Sequence, residues 1–192
     1  VYEVAAVSRI SGGVYRSDLI DEGRTQGLTI IAADLNLLDA QRGSISQGQY
    51  LTPALQNFPT VVLGAVAAER LGIAELSTDR SIWLGGEWFV VVGILNPLPL
   101  AADLDRAAII GYPAAERFLD YEYEPDIIYV RAYAEHVLNV RSVMSATVNP
   151  EKPEEVEVSR ASDVLEARAA AQSTFTNLFL GLGVVALLVG GI

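Results

Sequence analysis

The stretch Ser81-Ile-Trp-Leu-Gly-Gly-Glu-Trp-Phe-Val-Val-Val-Gly-Ile94 decides the fold. β-Branched and aromatic residues fit a pleated, half-buried surface. Two such runs, Ile82 to Leu84 and Glu87 to Val92, flank Gly85-Gly86, a pair that readily supplies the positive φ a two-residue hairpin turn requires. The stretch therefore reads as a β-hairpin. Trp83 and Trp88 either pair across it or line a ligand site. Aromatics in strands more often pack on their own sheet, which is the favoured reading here.

Strand and helix patterns alternate outward from the hairpin. Upstream, Thr60 to Leu63 is a strand running into a helix over Ala65 to Leu71, which Gly72 stops. Val1 to Val7 is apolar-rich, Val14 to Arg16 and Leu28 to Ala32 read as strands, and Asn36 to Gln41 as a short helix. Gly43 to Gln49, rich in Gly and Ser, reads as a loop. Downstream, Asn96-Pro-Leu-Pro99 ends the hairpin. Ala107 to Ile110 and Ile127 to Ala132 are strands, and Pro113 to Leu119 is a helix. Val137 to Ala146 is amphipathic, with Val137, Val140, Val143 and Met144 on one side. Asn149 to Glu155 is a polar loop. Val156 and Val158 alternate with Glu155 and Glu157, the pattern of a half-exposed strand. The mixture predicts an α+β fold.

Composition narrows the function. The chain has 192 residues, 51% of them apolar, which suits one domain or two small ones with a real core. Thirteen basic residues face 24 acidic ones, for a net charge of −11. A nucleic-acid binder needs a basic face, so no nucleic-acid partner is expected. With no cysteine and a single histidine, disulfide frameworks, thiol catalysis, iron–sulfur clusters and multi-histidine metal sites are excluded. Only Lys152 among the basic residues is lysine. That bias, together with abundant alanine, is read as codon usage.

No constellation points to catalysis. His136 opens the Val137 helix with no nucleophile motif beside it, and neither a G-x-S-x-G elbow nor a P-loop is present. The acidic run Glu116, Asp120, Glu122, Glu124, Asp126 lacks the residue order and central glycine of a calcium loop and reads as a solvated face. Spacing alone singles out no carboxylate pair for glycoside hydrolysis. The expectation is therefore a non-enzyme without catalytic, cofactor-binding or metal residues.

The C-terminal stretch has a different character. Phe175 to Ile192 carries no charge, and its eleven Leu, Ile, Val and Phe favour bilayer insertion by roughly 3–7 kcal/mol in sum. Eighteen helical residues cover ~27 Å, close to a bilayer's apolar thickness. The alternative is a buried core helix, but a core helix seldom stays apolar all round for four turns. Ser162 or Asp163 is a suitable N-cap, and no Gly or Pro interrupts the chain from there to Leu180. A single helix from about Asp163 to Ile192, water-side first and lipid-side later, is expected. Such a rod transmits motion because no joint absorbs it, with Asp163, Leu165, Arg168, Ala171 and Gln172 on the water side. The other reading is a passive tether. Gly181-Leu-Gly183-Val-Val-Ala186 fits a dinucleotide fingerprint in letters only: an Ala-rich helix rather than a strand precedes it. Ala186 and Gly190 form a small-xxx-small pair suited to helix packing in lipid. The start at Val1 and the stop inside the apolar run suggest a fragment.

Several blocks together resemble a known family. Val61-Val62-Leu63-Gly64, Ala67-Ala68 and Leu71-Gly72 are similar to the "VLG–AA–LG" block of MacB-like periplasmic core domains. Ile82-Trp83 and Phe89-Val90-Val91-Val92-Gly93-Ile94 resemble that family's following strands. Val156-Glu157-Val158-Ser159-Arg160 with Ser162-Asp163 resembles its strand-to-helix entry, and Leu187 to Ile192 the start of its next membrane helix. The blocks stand in family order over nearly the whole chain.

The resemblance, to FtsX/MacB-type ABC transporter permeases of bacteria, implies a 1–161 extracytoplasmic core domain. In it a porter-like α/β sandwich lobe (about 1–59 and 126–161) is interrupted by a smaller β-rich lobe (about 60–125). A stalk and the start of a membrane helix would follow at 162–192, placing residues 1 to about 172 outside the cytoplasm. It further implies a cytoplasmic ABC-type ATPase, separate or fused, a second permease copy and membrane lipid as partners. ATP-driven motion would cross the membrane, for export or mechanotransmission, without a cofactor in this chain. The competing class is a binding module or adhesin on a single C-terminal anchor. A third is a secreted enzyme with a hydrophobic tail.

Overall fold

Strand β7 (Glu87–Leu95) organises the molecule. In the computed structural model, which describes residues 1–20, 27–77 and 80–160, β7 is hydrogen-bonded along both edges. Parallel β5 (Thr60–Leu63) takes one edge. The other edge is shared by β6 (Ser81–Leu84) over the first half of β7 and β4 (Ile45–Gly48) over the second, both antiparallel. With β1 (Glu3–Ile10), β2 (Val14–Tyr15), β3 (Thr29–Ala33), β8 (Ala107–Gly111) and β9 (Ile127–Arg131), these make one nine-stranded mixed sheet. Its order is β2-β6-β7-β5-β8-β3-β1-β9, with β4 off that path. Strands β3 and β8 are parallel, β5 and β8 antiparallel.

After the opening Thr29 of β3 and Thr60 of β5, the central strands β3, β5 and β8 carry no polar side chain, because both sheet faces are covered. Side chains alternate across a strand, so Ile30, Ala32, Val61, Leu63, Ala108 and Ile110 enter one core cluster, while Ile31, Ala33, Val62, Ala107 and Ile109 enter the other. Helices α2 (Ala65–Arg70) and α3 (Tyr112–Leu119) cover the first face through Ala67, Ala68, Ala114 and Ala115, whose small side chains let the helices lie close to the sheet. The second face is covered by α1 (Leu37–Ala40) through Leu37 and by the 96–106 connection through Leu98 and Leu104. That connection is pinned where the Leu98 N–H donates to buried Asp105 Oδ1 at 2.8 Å.

The hairpin forms as its sequence requires. Gly85 and Gly86 turn at φ +60° and +98°, and Trp83 pairs with Trp88. The indoles meet edge to face, 5.4 Å between centroids. Tyr15 continues the row through its pairing with Trp83. A double-mutant cycle of Trp83→Ala and Trp88→Ala, read by urea unfolding, is expected to give a coupling of about 0.5–1.5 kcal/mol, the usual worth of such an aromatic pair. Strictly additive single effects would contradict it.

Two expectations need correction. The 43–49 stretch contains a strand. At Gly48 (φ +75°) and Gly93 the two chains approach so closely that a Cβ on Gly93 would lie 2.2 Å from the Gln49 carbonyl oxygen. The Gln47 side chain extends this edge: its Nε2 donates to Ala74 O at 2.8 Å and its Oε1 accepts from Leu76 N–H at 2.9 Å. At the other end, Val156 and Val158 keep their half-buried alternation but join no strand. The chain turns through Pro153–Glu155, and the Val156 carbonyl accepts from the Ser145 hydroxyl at 3.4 Å.

Residues Val1–Val140 form one compact unit. A second comprises Arg141–Ile192, of which 141–160 are described. Helix α4 (Val137–Val148) begins in the first and ends in the second. Val137, Val140 and Met144 are half-buried along it, but Val143, assigned to the same side, is 57% exposed. The expected helix over 163–192 lies outside the described residues. Among the described residues no helix is long and apolar enough to cross a membrane.

Candidate functional site

The chain enters and leaves the sheet at one place. Strand β1 begins where β9 ends: Glu3 pairs with Arg131, and the Tyr2 N–H donates to Arg131 O at 3.0 Å. The Tyr2 and Tyr133 rings meet at 4.8 Å, and the Arg131 guanidinium lies 5.1 Å above the Tyr2 ring. The same guanidinium donates through Nη1 to Asp39 O at 2.7 Å, which ties this corner to α1. Tyr133 is 56% exposed, so the cluster is a surface clasp rather than core. A cation over an exposed ring contributes about 0.5–1 kcal/mol.

Two carboxylates fasten β1 along its length. Its first half pairs with β9 and its second with β3, on opposite edges, leaving one N–H beyond the end of each neighbour. Asp34, directly after β3, accepts the Ala6 N–H at 2.8 Å, and Asp126, directly before β9, accepts the Arg9 N–H at 2.7 Å. Each aspartate extends a ladder by one bond. The sequence reading placed Asp126 in a solvated acidic face and passed over Asp34. The available signal was position: an aspartate immediately flanking a strand, where its side chain reaches a neighbouring backbone donor.

Within the acidic run, the backbone of Glu124 is held by Ser8 and Tyr121. Ser8 Oγ donates to Glu124 O at 3.1 Å and pairs with Tyr112 OH at 2.8 Å. Tyr121 OH donates to the same carbonyl at 2.6 Å, and the Tyr112 and Tyr123 rings meet at 4.5 Å between centroids, tilted by 60°. Asp120 ends α3 in the left-handed region at φ +50°. Among the described residues no group of three or more His, Asp or Glu is placed to hold a metal ion. His136 lies exposed in the single turn Ala134–His136 ahead of α4.

Tyr50, Tyr112 and Tyr129 hold their protons above the ordinary tyrosine range. Burial pushes Tyr112 up to about 12, against the opposing hydrogen bond with Ser8. Burial likewise raises Tyr50, with Asp34 and Asp39 adding to it, and Tyr129, whose hydroxyl donates to Asp103 Oδ2 at 3.0 Å. Tyr50 sits against the seam between Leu37, Leu38, Leu95 and Leu98, and its buried hydroxyl has no hydrogen-bond partner among the described residues. A raised tyrosine value means that the folded state holds its proton more tightly than the unfolded state. The associated stability is full below pH 10 and declines as pH rises from 10 through about 12. An absorbance titration at 295 nm should show these three phenols ionising above the ordinary tyrosine value, together with unfolding. Their ionisation in the folded state near pH 10 would contradict the burial.

The arrangement holds no nucleophile–base pair and no phosphate cradle among the described residues. Its features are those of a part fastened at the point where chain enters and leaves. The MacB-like periplasmic core domain family matches residues 1–158, and the chain belongs to that family. It is thus the periplasmic or extracellular, non-catalytic domain of an ABC transporter permease. In fold it is similar to the periplasmic region of MacB from Actinobacillus actinomycetemcomitans, with a TM-score of 0.61 at 12% identity over 88% of this chain and 76% of that one. It is also similar to the extracellular domain of the noncanonic ABC-type transporter YknZ from Gram-positive bacteria, with a TM-score of 0.56 at 14% identity over 73% and 71%. No curated protein matches the chain. Asp163, Leu165, Arg168, Ala171 and Gln172, expected in the water-side half of a helix, lie outside the described residues.

Proposed function

We propose that this domain passes ATP-driven conformational change across a bacterial membrane, as the extracytoplasmic part of an FtsX/MacB-type permease serving export or mechanotransmission. The observation that carries the proposal is the family match over residues 1–158 followed by the uncharged apolar run at 175–192. In this reading 163–192 is one helix. Asp163, Leu165, Arg168, Ala171 and Gln172 lie in its water-side half, packed on the domain or on a second permease copy, and the apolar half is in lipid. Residues 1 to about 172 are extracytoplasmic, and the energy comes from a cytoplasmic ABC-type ATPase, separate or fused.

The clasp of Tyr2, Arg131 and Tyr133 supports the reading, because a part that moves as a body under load needs its entering and leaving strands fixed to each other. The division into a porter-like part and an insert over 60–125 belongs to the same proposal. The strands β6, β7, β5 and β8 of that segment are neighbours in the sheet and continue into β3 through β8.

The test uses the complete gene product in membranes. Expected are further hydrophobic segments after residue 192 and co-purification of an ABC-type ATPase whose turnover the permease alters. A single span followed by Lys/Arg and the end of the gene, with no ATPase bound, would instead indicate an anchored binding module.

A further inference from the structure

No further inference is drawn: the strongest candidate, the exposed apolar sheet face that Trp88 and Val90 of β7 form with Phe58, carries nothing because nothing in the structure shows what covers it.

Discussion

Gly93→Val is expected to lower the thermal midpoint of the domain by roughly 6–12 °C or more. The first carbon of any side chain at this position would lie 2.2 Å from the Gln49 carbonyl oxygen and 3.1 Å from the Gln49 carbonyl carbon. Both are backbone, so no rotamer change relieves the overlap. Strands β4 and β7 would have to separate, giving up the pairing of Gly48 with Gly93 and the bond from Gln49 N–H to Val92 O at 3.0 Å. Overpacking costs ~1–3 kcal/mol in a core that adjusts, and more where backbone must move. With ~2–4 °C per kcal/mol for a chain of this size, 3 kcal/mol gives the stated drop. Gly86→Ala is the control: nothing lies within 4 Å of its added carbon, so only the strain at φ +98° is felt, about 1 kcal/mol. If Gly93→Val were no worse than Gly86→Ala in a thermal melt, the close approach of β4 to β7 would not exist.

Gly93 also marks where the sequence ran out as a guide. The hairpin was legible because its signal is local: two β-rich runs and the one turn chemistry that joins them. The central strands were legible as apolar runs, and α2 and α3 as helices following strands. Strand β4 was not. Ile-Ser-Gln-Gly has weak strand propensity, and it is ordered by Gly93, nearly 50 positions away, and by the reach of Gln47 to Ala74 and Leu76. Val156 and Val158 failed in the opposite direction: their alternation predicts a strand, but a strand needs a partner that no local pattern supplies. For the site, no local pattern in the sequence marks the Tyr2–Arg131–Tyr133 clasp. Residues 2 and 131 meet only through the antiparallel register of β1 with β9.

The largest functional effect is expected at 163–192. Inserting Gly-Pro near Ala170 in the complete permease introduces a residue with no backbone N–H and places the two worst helix formers side by side, at a helix cost of about 3 kcal/mol or more. It should also sever the mechanical path between membrane and domain while leaving both ends folded. If, as proposed, the energy comes from a cytoplasmic ATPase and the 163–192 segment carries the motion, ATP turnover should persist while output on the extracytoplasmic side falls strongly. A conservative Ala170→Leu change, which keeps helix propensity and adds bulk only, should preserve both.

The measurement that bears most directly on this account is the paired assay of that insertion variant, with ATP hydrolysis and extracytoplasmic output read from the same reconstituted sample. Near-normal hydrolysis with output reduced at least tenfold is the predicted result. Output retained with the helix broken would make the segment a tether and contradict the mechanical role assigned to it.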